Sequence, residues 1–148
     1  MYNKILVALD TSSGDEKLIQ HITELAKIHH SHLLLVHVAD GWAARHFDEL
    51  ALKESEEMVK DREYINAIAA AIKKQAIPVT AHLALGEPAQ EILSIAEKEK
   101  CDLIAMTSHG HGFFADIILG SAIEEVRHKT SLPLLVVSGR KARSSAQH

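Results

Sequence analysis

Four short, almost unbroken apolar runs constrain this chain more than any other feature: Ile5–Leu9, Leu33–Val38, Leu103–Met106 and Leu134–Val137. Runs that are apolar at consecutive positions, and too short for a helix, mark strands buried on both faces, as in parallel sheets. Pro78–Leu85 adds a fifth strand-like segment. Helical spacing fills the intervals: Leu18, Ile19, Ile22, Leu25 and Ala26 after the first run, then Met58, Ile65, Ile68, Ala69 and Ile72. Ile92, Leu93 and Ala96 mark a third helix, and a fourth precedes the last run. Five strands alternating with four helices predict an α/β fold. It is a five-stranded, parallel, doubly wound Rossmann-like sheet with helices on both faces.

The joints are readable in places. Ser13-x-x-Glu16 and Ser121-x-x-Glu124 have the form of capping boxes opening helices. Gly86-Glu87-Pro88 turns the chain, with Pro88 at a first helical position. Pro133 suits the start of an edge strand. Asp40–Met58 is less regular: charges crowd from Asp48 to Lys60 with no clean apolar stripe. The expectation there is a mobile or partner-dependent segment, a lid among the options, ahead of a helix ending near Gln75. Residues 1–138 read as one domain, and 139–148 as a disordered tail without apolar periodicity.

Composition narrows the function classes. The formal charge of −4 gives no reason to expect nucleic acid or an anionic membrane as partner. One cysteine, Cys101, excludes an internal disulfide and suits a reducing compartment. With no leader-like start and no apolar run near membrane length, a cytoplasmic protein is expected.

The chemistry concentrates between Asp102 and Val137. The fourth apolar strand ends at Met106-Thr107-Ser108-His109-Gly110, and Gly120-Ser121-Ala122 follows after nine residues. Gly110 permits a sharp turn, and Gly120 a close backbone approach to a ligand. Ser121 is read as the cap that opens a helix, so the first-turn amides of Ser121 and Ala122 would lack intrahelical partners and form an anion site. In doubly wound sheets ligands sit beyond the carboxyl ends of strands where the strand order reverses. Asp10, Val38 and Met106 lie at three such ends. His109 and His111, flanking Gly110, would meet a phosphate if protonated.

Gly110-x9-Gly120-Ser121 resembles the G-x2-G-x9-G-S/T nucleotide loop of the universal stress protein family, in its ATP-binding branch. The first glycine of that pattern falls on Thr107, a β-branched residue poorly suited to positive φ. The resemblance extends from Lys4–Asp10 through Gly86-Glu87-Pro88 to Leu134–Val137. It implies the adenine-nucleotide α-hydrolase-like strand order, with the first and fourth strands adjacent. It also implies Asp10 near the adenosine part of the nucleotide, the backbone of Val38 at the adenine edge, and Ser121 and Ala122 at the phosphates. ATP with Mg2+ would be the ligand, and the protein a stress-response regulator acting through nucleotide-dependent interaction with a protein partner the sequence does not identify. A homodimer through Leu134, Leu135, Val136 and Val137 is a further implication.

Alternatives stand beside these. Asp10 also fits a plain turn residue after a strand. It does not fit a receiver-type phospho-acceptor, since the acidic pair such domains carry after their first strand is missing. Thr107 keeps alive a same-fold interaction module that binds no nucleotide, and ATP, AMP and an empty site all remain open. An AMP-forming ligase fragment is disfavoured by chain length. Among 11 histidines, His29, His30 and His32 cluster, but a helix end and a turn point them apart, and no metal-ligand spacing exists. No nucleophile elbow or Walker lysine is present, so no catalytic residue is assigned, and ATP hydrolysis, if any, is expected to be slow.

Overall fold

The computed structural model describes residues 1–40, 47–108 and 112–138; side chains are described outside 40, 47–55 and 112–120. The elements run β1 (Lys4–Leu9), α1 (Gly14–His29), β2 (His32–Asp40), α2 (Phe47–Lys73), β3 (Val79–Gly86), α3 (Pro88–Lys98), β4 (Leu103–Ser108), α4 (Gly112–Lys129) and β5 (Leu134–Ser138). All four strand pairings are parallel, in the order β3-β2-β1-β4-β5. The expected five-stranded doubly wound sheet is therefore present, with β1 beside β4 at the point where the order reverses.

Period-two alternation along the strands divides the core. Ile5, Val7 and Leu9 face one way with Leu33, Leu35, Leu103 and Ala105, under Leu18 and Ile22 of α1 and Ile65 and Ile72 of α2. Leu6 and Ala8 face the other way with Leu34, Val36, Ile104 and Met106, under Ala89 and Ile92 of α3 and Val126 of α4. Register keeps these layers aligned: Ile5 pairs with both Leu33 and Leu103, and Leu6 with both Leu34 and Ile104. Continuous apolar runs arise because a residue facing either way meets helices.

Three expectations about element ends change. α2 begins at Phe47, eleven residues before Met58, so much of the irregular acidic stretch is helix. Among its described residues Val59 is 53% exposed amid charged neighbours, which blurs the period. Residues 41–46, the remainder of the lid question, lie outside the described residues, as does the 139–148 tail. α4 begins at Gly112, so Ser121 is interior to a helix and does not cap one. Phe113 to Leu119 are mostly residues helices accept, and carrying Gly120 mid-helix costs only about 1 kcal/mol. Ser13 does sit at the N-cap of α1, but without a side-chain cap bond, so its capping box is not formed.

Candidate functional site

At the carboxyl ends of β1, β2 and β4 a cavity of about 380 Å³ opens between the strand ends, the start of α3 and one face of α4. A cavity at this switch point is the expected ligand position of a doubly wound sheet. Six of the nine sequence-derived site residues line it: Asp10, Val38, Met106, Thr107, Ser121 and Ala122. Gly120 is backbone of α4 immediately before Ser121. His109 and Gly110 lie outside the described residues.

Each lining residue has a local cause. Met106 is 6% exposed and chiefly a core residue whose tip reaches the cavity wall. Val38 is half-buried on the same face. Thr107 is extended strand and pairs opposite Val137, so the position does not need positive φ and its β-branch suits it. Its buried hydroxyl donates to the Val137 carbonyl at 3.0 Å. Ser121 and Ala122 lie on one turn of α4, with Glu125 one turn further on, reached by the Lys129 ammonium at 2.9 Å.

Asp10 is a turn residue at the cavity's edge. Its Oδ1 accepts the Ser12 amide at 2.9 Å, an Asx-type turn, while the residue also borders the cavity. The loop it begins is braced by a residue the sequence reading overlooked. Asp15, 1% exposed in the first turn of α1, accepts the Asp10 amide at 3.1 Å through Oδ1. Its Oδ2 accepts the Thr11 amide at 2.9 Å and the Tyr64 hydroxyl of α2 at 2.7 Å. Burial pushes the Asp15 carboxyl up to about 6 against these donors, with the nearby Asp10 charge adding to the rise. Desolvation and the Asp15 bond push the Tyr64 phenol well above its ordinary value, so it stays a donor.

Further lining residues also escaped the sequence reading. Glu87 and Pro88 form the lip at the start of α3, and His37 borders the floor. His37 Nδ1 donates to the Leu9 carbonyl at 2.9 Å, leaving Nε2 facing Asp61 of α2 at 3.4 Å. Among the described lining residues the carboxylates are Asp10, Glu87 and Glu125, and none is lysine or arginine. A bare polyphosphate would meet net repulsion here.

Elsewhere the histidine cluster diverges as expected. His29 packs edge-on against Tyr2, His30 takes the left-handed conformation that ends α1, and His32 bonds Thr80 on β3 at 2.7 Å. Burial pushes the Cys101 thiol up to about 11, the opposite of what a thiolate nucleophile needs. No helix among the described residues is long and apolar enough to cross a membrane.

Known proteins are similar to this chain in sequence and fold. The universal stress protein MJ0577 of Methanocaldococcus jannaschii is 30% identical over 96% of this chain and 98% of its own length. Its solved structure superposes with a TM-score of 0.81, covering 97% of this chain and 99% of that one. The universal stress protein YxiE of Bacillus subtilis is 31% identical over 93% of this chain and 99% of its own. A universal stress protein from Archaeoglobus fulgidus, solved in complex with dAMP, has the same fold at 22% identity and a TM-score of 0.68, covering 91% of this chain and 97% of that one. The model of the Universal stress protein family matches residues 1–138, and the chain belongs to that family.

Proposed function

We propose that this chain binds an adenine nucleotide, ATP accompanied by Mg2+, in the switch-point cavity and acts as a regulatory protein rather than a turnover enzyme. One observation carries the reading: residues chosen from the sequence for nucleotide contact converge from β1, β2, β4 and α4 on a single cavity. Its volume lies within the range of small-ligand sites. The dAMP complex of the Archaeoglobus relative supports a nucleotide as ligand class.

On this reading Asp10 and the Val38 backbone hold the adenosine part, and Thr107 forms wall. Ser121 and Ala122 flank the phosphates together with His109 and Gly110. Ser121 lies inside α4, so any anion site from free amides belongs at a helix start and not at Ser121. The acidic lining supports Mg2+ arriving on the phosphate oxygens, where it offsets the ligand's charge. Cytoplasmic location, one domain over 1–138 and signalling of occupancy to a protein partner complete the proposal.

The acidic lining also favours a second reading, an interaction module of the same fold whose cavity takes no polyphosphate. Calorimetry separates the two. Nucleotide-stripped protein is titrated with ATP and Mg2+, with ATP and EDTA, and with AMP, beside the cavity-filling variant Ala122→Phe. The expected result is Mg2+-dependent ATP binding that the variant loses while staying folded. Heat-silent titrations with all ligands, from folded protein, would overturn the nucleotide reading in favour of the interaction module.

A further inference from the structure

Beneath the cavity, a buried carboxylate joins three things that a ligand would need held together. Thr11 has φ of 62°, a left-handed conformation that costs a β-branched residue of order 1 kcal/mol or more. Such a conformation persists only where the surroundings over-determine it. Here the surroundings are Asp15, whose two oxygens take the successive amides of Asp10 and Thr11 while one of them also takes the Tyr64 hydroxyl. Asp10, turned by this bracing, borders the cavity. Tyr64 belongs to α2, and one turn before it Asp61 faces His37, whose other nitrogen holds the carbonyl of Leu9. Two polar tethers from one face of α2 thus end on the last residues of β1 and the loop after it.

We propose that Asp15 is a positioning residue for the nucleotide pocket: it fixes the β1–α1 loop so that Asp10 faces the ligand, and through Tyr64 it couples that loop to α2. This rests on the nucleotide reading for its ligand, but the brace itself is independent of it. A carboxylate is required because three donors converge on it. Protonation turns one oxygen into a donor and breaks part of the bracket. The groups facing Asp15 are Asp10 from its own loop and Tyr64 from α2. Tyr64 does not ionise in the relevant range, and the Asp10 charge opposes ionisation of Asp15. With its carboxyl pushed up to about 6, Asp15 is ionised at neutral pH and protonates as the pH falls below that value. Because burial is what raises this value, protonation relieves a desolvation cost and does not unfold the loop; what it changes is the acceptor offered to the Asp10 and Thr11 amides, and with it the setting of Asp10 at the cavity.

The test uses the full chain and its Asp15→Asn and Tyr64→Phe variants, with two readouts. In NMR titrations the Asp10 and Thr11 amides of the wild type should move together with one midpoint near 6, and stay flat in Asp15→Asn. By calorimetry at neutral pH with ATP and Mg2+, Asp15→Asn should bind about tenfold more weakly and Tyr64→Phe by a smaller factor. The wild-type advantage over Asp15→Asn should shrink toward unity at pH 5. Any titrating group common to both proteins contributes equally to each and cancels in that ratio. Amides that do not titrate together, or equal affinity across the pH range, would overturn the inference. Titrating amides in a protein that binds no nucleotide would keep the brace, remove its ligand role and count against the nucleotide reading. Should Asp15→Asn fail to fold, Tyr64→Phe carries the test: unchanged loop amides and unchanged affinity in it would exclude the coupling to α2.

Discussion

The Thr107 hydroxyl donates to the Val137 carbonyl from a site only 4% exposed, so it closes the sheet between β4 and β5 while its flank borders the cavity. Removing it by Thr107→Val keeps shape and strand preference but leaves that carbonyl one donor short, at a cost of about 1 kcal/mol. Thr107→Gly, which restores the glycine of the nucleotide-loop pattern, also removes strand preference and packed volume, and is expected to cost about 2 kcal/mol. Urea unfolding of nucleotide-free protein checks both; a glycine variant as stable as the wild type would show that the threonine contributes no support. This residue also marks where motif spacing misleads. The pattern points to a loop glycine, but position 107 is still strand, paired with Val137 one residue before the strand's end at Ser108. Asp15 was hidden for a different reason. An acidic residue in a helix's first turn is ordinary in sequence, and nothing local reveals that Asp10, Thr11 and Tyr64 converge on it.

At the scale of elements, the turn between β3 and α3 governs the cavity's lip. Gly86 has φ of 138°, a region reserved for glycine, and a Cβ there would lie 3.0 Å from Oε1 of Glu91. Gly86→Ala is expected to cost about 1–3 kcal/mol and to displace Glu87 and Pro88, lowering Tm and nucleotide affinity together. An alanine variant matching the wild type in thermal unfolding would mean that the turn relaxes freely. This joint was legible because Gly-Glu-Pro carries its conformation in its residue types. The central strands β1, β2 and β4 were legible too, since burial on both faces leaves an apolar run with no need for tertiary information. Helix starts were less so. The beginning of α2 at Phe47 carries charges crowded together with no clean apolar stripe, and the apparent box at Ser121 has the letters of a cap inside a helix whose true start lies nine residues earlier. A capping box is a local pattern, and it opens a helix only if the preceding residues decline to be helical.

For the whole molecule, the strand order β3-β2-β1-β4-β5 leaves two edges, and they differ. β3 carries Thr80, His82 and Gly86, and α2 packs beside it. β5 is Leu134–Ser138, nearly all apolar, yet no residue of it is fully buried, and Val136 is 41% exposed. An apolar edge with unpaired backbone groups favours pairing with another chain unless something covers it. A second copy is the simplest cover, because a two-fold axis lets the same strand serve as both partners. The expected assembly is a homodimer through Leu134–Val137, and Val136→Lys should convert it to monomer by placing a desolvated charge at the seam. Light scattering on size-exclusion eluate reads the mass directly, while nucleotide calorimetry on the same variant shows whether the cavity works alone. Thr107 ties the two questions together, since its hydroxyl bonds β5 while its flank faces the cavity. If the monomeric variant binds nucleotide as well as the dimer, the edge serves assembly only. Weakened binding would make β5 the path by which pairing and occupancy influence each other, and a wild type that is monomeric at high concentration would overturn the edge assignment.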